Sequence, residues 1–221
     1  MHTENISFST AGGDTTAFVT RPDQGATRAV IVIQEYWGLN DHIRSIAGRY
    51  ADEGFCAISP DLYRGAVAKT SDEAAKLMNA LKTDDGLDII NNVIQTSSER
   101  YSLTHFGITG FCMGGSYALR AACELEGLSA AAAFYGDIPE ESVLAKLKTP
   151  TIFISATQDK WINAEKVGTL ETAVERYELP LTSVKYEADH AFFNDTRPEV
   201  YDPVAAADAW ALVIGFMSDN L

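Results

Sequence analysis

Residues 106 to 115 of this chain, FGITGFCMGG, decide its fold class. The first four residues have the composition of a buried strand, and Met113–Glu124 has the pattern of a helix. Gly110 and Gly114 stand two residues before and two residues after Cys112. That spacing is typical of a strained strand-to-helix turn that presents a nucleophile, because the backbone folds too closely there for larger side chains. The alternative is a buried cysteine beside a glycine-rich helix contact.

The rest of the chain alternates strands with helices. Strands are predicted at Asn5–Ser9, Thr15–Thr20, Ala29–Gln34, Phe55–Ser59, Phe106–Thr109, Ala130–Tyr135, Thr151–Ala156 and Thr182–Tyr186. Helices are predicted at Asp41–Glu53, Ser71–Leu81, Asp84–Ser98, Met113–Glu124, Ala164–Tyr177 and Pro203–Met217. The alternation indicates an α/β protein with a mostly parallel sheet of about eight strands flanked by helices, and with an antiparallel N-terminal hairpin. No repeat or linker is visible, so residues 1–221 are predicted to form a single domain.

Composition limits the partners that this chain can have. Its formal net charge is −14, which disfavours nucleic acid and anionic membranes as partners. The N-terminal residues do not resemble a secretory signal, and no apolar run approaches the ~18 residues that span a bilayer. The chain has only three cysteines, an odd number: Cys56, Cys112 and Cys123. This count favours a reducing, cytoplasmic location over a disulfide framework. We expect a monomer or a weak homodimer.

A nucleophile in such a turn needs a base, and the chain has four histidines. His2 is expected in a mobile terminus, His42 on a surface helix, and His105 at the opposite end of the strand that leads to the turn. His190 follows the predicted strand Thr182–Tyr186, so it alone is expected at the carboxyl edge of the sheet, where functional residues gather. The alternative for His190 is a surface histidine.

The acid that orients this base should lie between nucleophile and base along the chain. Asp159 follows the predicted strand Thr151–Ala156 and meets this condition, although loop aspartates are usually turn formers. Asp189 and Asp195 are competitors, but they lie too close to His190 in sequence for the usual geometry.

Together these features resemble the dienelactone hydrolase family of α/β-hydrolases over nearly the whole chain. The resemblance rests on five segments: Gln34-Glu35 followed by an aromatic pair and Gly38; Ser59-Pro-Asp61-Leu-Tyr63; Gly110 to Gly115; Asp159; and His190-Ala-Phe-Phe-Asn194. It implies a triad of Cys112, His190 and Asp159. It also implies an oxyanion hole formed by the backbone N–H groups of Tyr36 and Met113, and a Glu35 carboxyl group beside the resting thiol.

Glu35 is a candidate site residue from its position in the sequence as well, independently of the family resemblance. It follows the predicted strand Ala29–Gln34, where a carboxylate would be partly buried and its pKa raised. The alternative is a helix cap or a surface carboxylate.

The chain departs from the family where the substrate's carboxylate would be bound. Well-known members have arginines in the helix before Leu77 and four residues after the histidine. Here Ser71–Ala75 lacks arginine, and Asn194 occupies the second place. Arg64 and Arg197 are candidates to replace them, and each could instead be a surface cation.

The expected reaction is hydrolysis of a small carboxylic ester or lactone through a thioester, as in carboxymethylenebutenolidase, with no metal or organic cofactor. Two other hypotheses remain open. One is a thiol peroxidase or redox protein that uses Cys112, although Cys123 is about three helical turns away, too far for a disulfide. The other is a non-catalytic binding module on the same fold.

Overall fold

The computed structural model describes all 221 residues. The strands are β1 (His2–Thr10), β2 (Gly13–Arg21), β3 (Arg28–Ile33), β4 (Cys56–Pro60), β5 (His105–Phe111), β6 (Leu128–Phe134), β7 (Thr151–Ala156) and β8 (Leu181–Tyr186). The helices are α1 (Asp41–Asp52), α2 (Ser71–Ala80), α3 (Thr83–Tyr101), α4 (Met113–Glu124), α5 (Glu141–Leu144), α6 (Ala164–Tyr177) and α7 (Pro203–Asn220).

All eight strands join one sheet in the order β1-β2-β4-β3-β5-β6-β7-β8. The β1–β2 hairpin is antiparallel and pairs antiparallel with β4, whereas every pairing from β4 to β8 is parallel. The α/β-hydrolase architecture with its antiparallel hairpin is therefore confirmed. Because the strands from β3 to β8 run in one direction, the loops after them gather at one edge of the sheet.

The sheet separates two apolar cores. Alternate side chains of β3 point to opposite faces: Ala29, Ile31 and Ile33 join one cluster, while Val30 and Val32 join the other. Helices α3, α4, α5 and α6 contribute buried residues to the first cluster, and α1 and α7 contribute to the second. Burial on both faces explains why β3 is a continuous β-branched run.

Some predicted boundaries were wrong. Strand β5 runs to Phe111 instead of ending at Thr109, since Gly110 and Phe111 still pair with β6. His2 is not in a mobile terminus, because it lies in β1 opposite Arg21. Helix α5 was not predicted because a single turn is too short to show helical periodicity.

None of the helices combines the length and apolar character that a bilayer crossing requires.

Candidate active site

Cys112 lies at the turn between β5 and α4 and has a strained backbone. Its φ of 54° and ψ of −117° are rare for a residue with a side chain. Neighbouring glycines permit the turn: a Cβ on Gly110 would lie 2.1 Å from the Gly114 carbonyl oxygen, and one on Gly114 would lie 2.4 Å from the Ile33 carbonyl oxygen. The turn therefore needs glycine at both positions, as the sequence pattern predicts.

His190 and Asp159, in the loops after β8 and β7, form a hydrogen-bonded pair in which Asp159 is buried and His190 is half-buried. Oδ2 of Asp159 lies 2.5 Å from Nδ1 of His190, and the Asp159 side chain is fully buried. Oδ1 of Asp159 accepts the N–H groups of Trp161 and Ile162 at 2.8 and 2.9 Å. Burial alone would raise the pKa of Asp159, but these hydrogen bonds, led by that with His190, lower it below its usual value. The carboxylate thus stays ionised and orients the imidazole.

Cys112 and His190 line the same cavity of about 590 Å³. Its lining residues are Glu35, Tyr36, Trp37, Ser71, Met78, Cys112, Met113, Ser116, Tyr135, Asp137, Trp161, Ile162, Lys166, His190, Ala191 and Arg197. The loops after β3, β5, β6, β7 and β8 all supply residues to this wall. The parallel sheet thus brings together candidates from distant parts of the sequence.

Tyr36 and Met113 meet a requirement for an oxyanion hole. Neither backbone N–H donates to a backbone carbonyl oxygen. Met113 is the first residue of α4, so its N–H is one of the unpaired donors at a helix N-terminus. This N–H also lies against the Cys112 sulfur, where it favours the thiolate.

Glu35 is more deeply buried than the sequence predicts. It is 2% exposed, and its Oε2 accepts a 2.7 Å hydrogen bond from Nδ2 of Asn194. Burial raises its pKa to about 7, although Asn194 and the charge of Arg197 act in the opposite direction. Asn194 also accepts from Thr196 through Oδ1. It lines the neighbouring pocket with Arg197 but not the cavity itself, and its side-chain amide binds Glu35.

The surroundings of Cys112 favour the neutral thiol over the thiolate. Burial, followed by the charge of Glu35, raises its pKa to about 12, and the Met113 N–H opposes this shift. A proton acceptor is therefore needed before the sulfur can act as a nucleophile.

Of the two arginines proposed to bind a substrate carboxylate, only one lies at the cavity. Arg197 lines the cavity and pairs with the exposed Glu199. Arg64 does not line it: its guanidinium binds both carboxylate oxygens of Asp85 at 2.7 and 2.8 Å, and also contacts Thr10. The suggestion that Arg64 replaces a substrate-binding arginine was therefore wrong, because this ion pair holds it elsewhere.

Sequence reasoning missed Tyr135 as a site residue. Tyr135 directly follows β6, its ring centre lies 5.0 Å from that of His190, and its buried hydroxyl has no hydrogen-bond partner. Its position at the carboxyl end of a parallel strand was the signal that could have identified it.

His42 is not on the surface. It is buried on α1, and its Nδ1 lies 3.1 Å from Oδ1 of Asp195 in the loop that carries His190. Asp195, a competitor for the orienting acid, therefore contacts a different histidine.

Comparison with known proteins agrees with this arrangement. Residues 15–221 match the model of the dienelactone hydrolase family. A protein of Aquifex aeolicus called "Putative carboxymethylenebutenolidase" is 33% identical over 98% of both chains. A Yersinia pestis protein of the same name is 30% identical over 100% of this chain and 89% of its own. The crystal structure of a "Putative Dienelactone Hydrolase" from Klebsiella pneumoniae superposes with a TM-score of 0.90 at 28% identity, over 99% of both chains.

The fold, with its cysteine at the strand-to-helix turn, is that of an α/β-hydrolase. Within that class, the family match over nearly the whole chain is decisive. The chain belongs to the dienelactone hydrolase family.

Proposed function

We propose that this protein hydrolyses a carboxylic ester or lactone, with Cys112 as nucleophile, His190 as base and Asp159 as the group that orients the base. The observation that carries this proposal is the hydrogen bond between the buried Asp159 and His190, which lines the same cavity as Cys112. Cys112, Asp159 and His190 come from the loops after three different strands. A purely structural role for each residue would not explain why all three meet at one cavity. The relatives' names support an ester or lactone substrate.

The first half of the reaction acylates the enzyme. The thiol proton passes to His190, and the Cys112 sulfur forms a bond to the carbonyl carbon of the substrate. The carbonyl π electrons move to oxygen, which the N–H groups of Tyr36 and Met113 stabilise. One such donor is typically worth about 3 kcal/mol in the transition state. The intermediate then collapses, and His190 protonates the departing alkoxide.

The second half releases the acid. His190 takes a proton from water, and the hydroxide attacks the thioester carbonyl carbon. Breaking the carbon–sulfur bond frees the carboxylic acid, and the proton held by His190 returns to the Cys112 sulfur. The Asp159 carboxylate stabilises the imidazolium in both halves without taking its proton. In a lactone, the alkoxide and the acyl group belong to one molecule, so ring opening leaves a hydroxyl group on the acyl-enzyme and the final product is a hydroxy acid.

The redox alternative receives less support. A thiol peroxidase needs a thiolate in the absence of an organic substrate, and burial and the charge of Glu35 raise the pKa of the Cys112 thiol. Cys123 is buried within α4 and does not line the cavity. We further propose a cytoplasmic location, which the three free cysteines favour. A monomer or weak homodimer that acts on a small molecule is proposed with it.

The test compares two thiol removals. Cys112→Ala should lower the hydrolysis of p-nitrophenyl acetate at least 1,000-fold, on the order expected when a nucleophile is lost. Cys123→Ala removes a buried thiol outside the cavity and should change the rate by less than about threefold. Mass spectrometry of quenched wild type should show acetylation at Cys112. A folded Cys112→Ala variant that retains more than ~10% of the activity would exclude the covalent mechanism.

A further inference from the structure

A second groove, of about 470 Å³, adjoins the active-site cavity. Its lining residues are Met78, Leu81, Thr83, Met113, Ser116, Tyr117, Arg120, Asp137, Ile138, Pro139 and Glu140. Met78, Met113, Ser116 and Asp137 also line the cavity, so the two spaces lie side by side. We call this space the side groove.

The proposed reaction determines which part of a substrate faces the side groove. The carbonyl oxygen must point to the N–H groups of Tyr36 and Met113, and the leaving oxygen must point to His190. The remaining substituent on the carbonyl carbon is the acyl arm. His190 and its neighbours Trp161 and Ala191 line the cavity but not the side groove. The groove thus lies away from the leaving group, on the side open to the acyl arm.

The side groove has both apolar and polar walls, and its apolar residues offer contact surface to a neutral chain. Leu81 and Ile138 are half-buried against the main core and present apolar surface. The charged groups on its rim are already paired, Arg120 with Glu124 and Glu140, and Asp137 with Lys166. No cation is left unpaired there to bind an acidic tail.

The pocket on the other side of the cavity has a different character. It has a volume of about 390 Å³ and shares Tyr36, Trp37, Ser71 and Arg197 with the cavity. Apart from the two aromatic residues, its lining is polar or charged. An aliphatic chain would gain little by entering this pocket, because burying polar groups without new hydrogen bonds costs free energy.

We propose that the side groove binds the acyl arm of the substrate, and that the preferred substrates are esters with a neutral aliphatic acyl chain of several carbons. This inference rests on the proposed ester hydrolysis. The groove supplies apolar walls for the chain, while the p-nitrophenyl or other alcohol part remains beside His190 and Trp161.

The test is a series of p-nitrophenyl esters from acetate to octanoate. Each added methylene should raise kcat/KM about two- to fourfold until the groove is filled, which is the range expected for burying one methylene. Thr83 is exposed at the start of α3 and lines the groove. Thr83→Trp should therefore lower the octanoate-to-acetate ratio at least tenfold. Met78→Trp, at the junction with the cavity, should lower it as well.

Val204→Trp is the matched control, because Val204 is 78% exposed and lines none of these spaces. It should leave the octanoate-to-acetate ratio unchanged. Hydrolysis of acetate with no gain for longer chains would overturn the groove proposal and leave the hydrolase proposal standing. A preference for an acidic hemiglutarate ester over the neutral pentanoate would also overturn it, in favour of the Arg197 pocket. No hydrolysis of any ester would overturn both proposals.

Discussion

Asn194 donates a 2.7 Å hydrogen bond to the Glu35 carboxyl group across 159 residues of sequence, and both side chains are buried. Asn194 is a neutral donor, so it stabilises the carboxylate without balancing its charge. The remaining desolvation raises the pKa of Glu35 to about 7. A buried carboxyl group that ionises near neutral pH therefore stands beside the proposed nucleophile.

Glu35→Gln should lower the pKa of the Cys112 thiol, because the Glu35 charge is one of the causes that raise it. Glutamine keeps the size of the side chain and can still accept from Asn194. The rate of iodoacetamide alkylation against pH measures this effect, and Cys56 and Cys123 are buried and should react slowly. We expect the midpoint to move to lower pH.

Glu165→Gln is the control for this alkylation experiment, since it removes a carboxylate that is exposed and outside the cavity. Its midpoint should remain that of wild type. An unchanged midpoint in Glu35→Gln would show that the Glu35 charge does not reach the sulfur.

The same substitution should stabilise the protein only at higher pH. The pKa of Glu35 is higher in the folded state than in the unfolded one, so its contribution is complete below about pH 4.5 and is lost as pH rises through about 7. Glu35→Gln removes this loss, which is worth roughly 3 kcal/mol at most. Urea unfolding should give a higher midpoint than wild type at pH 8 and a similar one at pH 4.5. Equal differences at both pH values would contradict the prediction.

Arg197→Ala should weaken the hydrolysis of anionic esters more than that of neutral ones. Arg197 is the arginine on the cavity wall, and a charged hydrogen bond to a carboxylate contributes roughly 1.5–3 kcal/mol. Wild type should still prefer a neutral methyl ester to the matching free acid, because the single arginine is also paired with Glu199. The measurement is kcat/KM for both substrates in each variant.

Arg64→Ala provides the matched control for this comparison, because its guanidinium is paired with Asp85 outside the cavity. The ratio of anionic to neutral rates should not change in this variant. Equal losses for both substrates in Arg197→Ala would indicate that Arg197 has no role in selecting charge.

Gly114→Ala should disrupt the nucleophile turn. The new Cβ would lie 2.4 Å from the Ile33 carbonyl oxygen, so β3 and α4 would have to separate. Overpacking of this kind costs about 1–3 kcal/mol or more, and activity should fall strongly because Cys112 moves with the turn. Gly168→Ala on α6 meets no atom within 4 Å and should instead stabilise the protein by about 0.5–1 kcal/mol. Thermal unfolding of both variants tests this contrast.

Local chemistry made the nucleophile turn predictable. Close backbone contacts impose glycine at Gly110 and Gly114, so the requirement is visible in the sequence itself. Asp159 and His190 were predictable because parallel strands place the loops that follow them at one edge. The N–H groups of Tyr36 and Met113 entered only through the family resemblance, since backbone donors leave no residue signature.

Pairings that depend on helix docking were not predictable. His42 was assigned to the surface because helical periodicity does not show that the first turn of α1 faces the loop of Asp195, 153 residues later. Arg64 was placed near the site for a similar reason: a cation in a loop can reach several carboxylates, and only the fold shows that Asp85 is the one it binds.

Trp161 lies at the cavity and can serve as a fluorescent probe of ligand binding there. Its indole is 69% exposed, yet its ring centre lies 5.0 Å from that of His190. A molecule entering the cavity must displace water from this indole, which changes the environment that sets its emission. Trp37 also lines the cavity, whereas Trp210 packs against the second core cluster. A variant that keeps Trp161 as its only tryptophan would report occupancy of the cavity by fluorescence, even for molecules that the protein does not turn over.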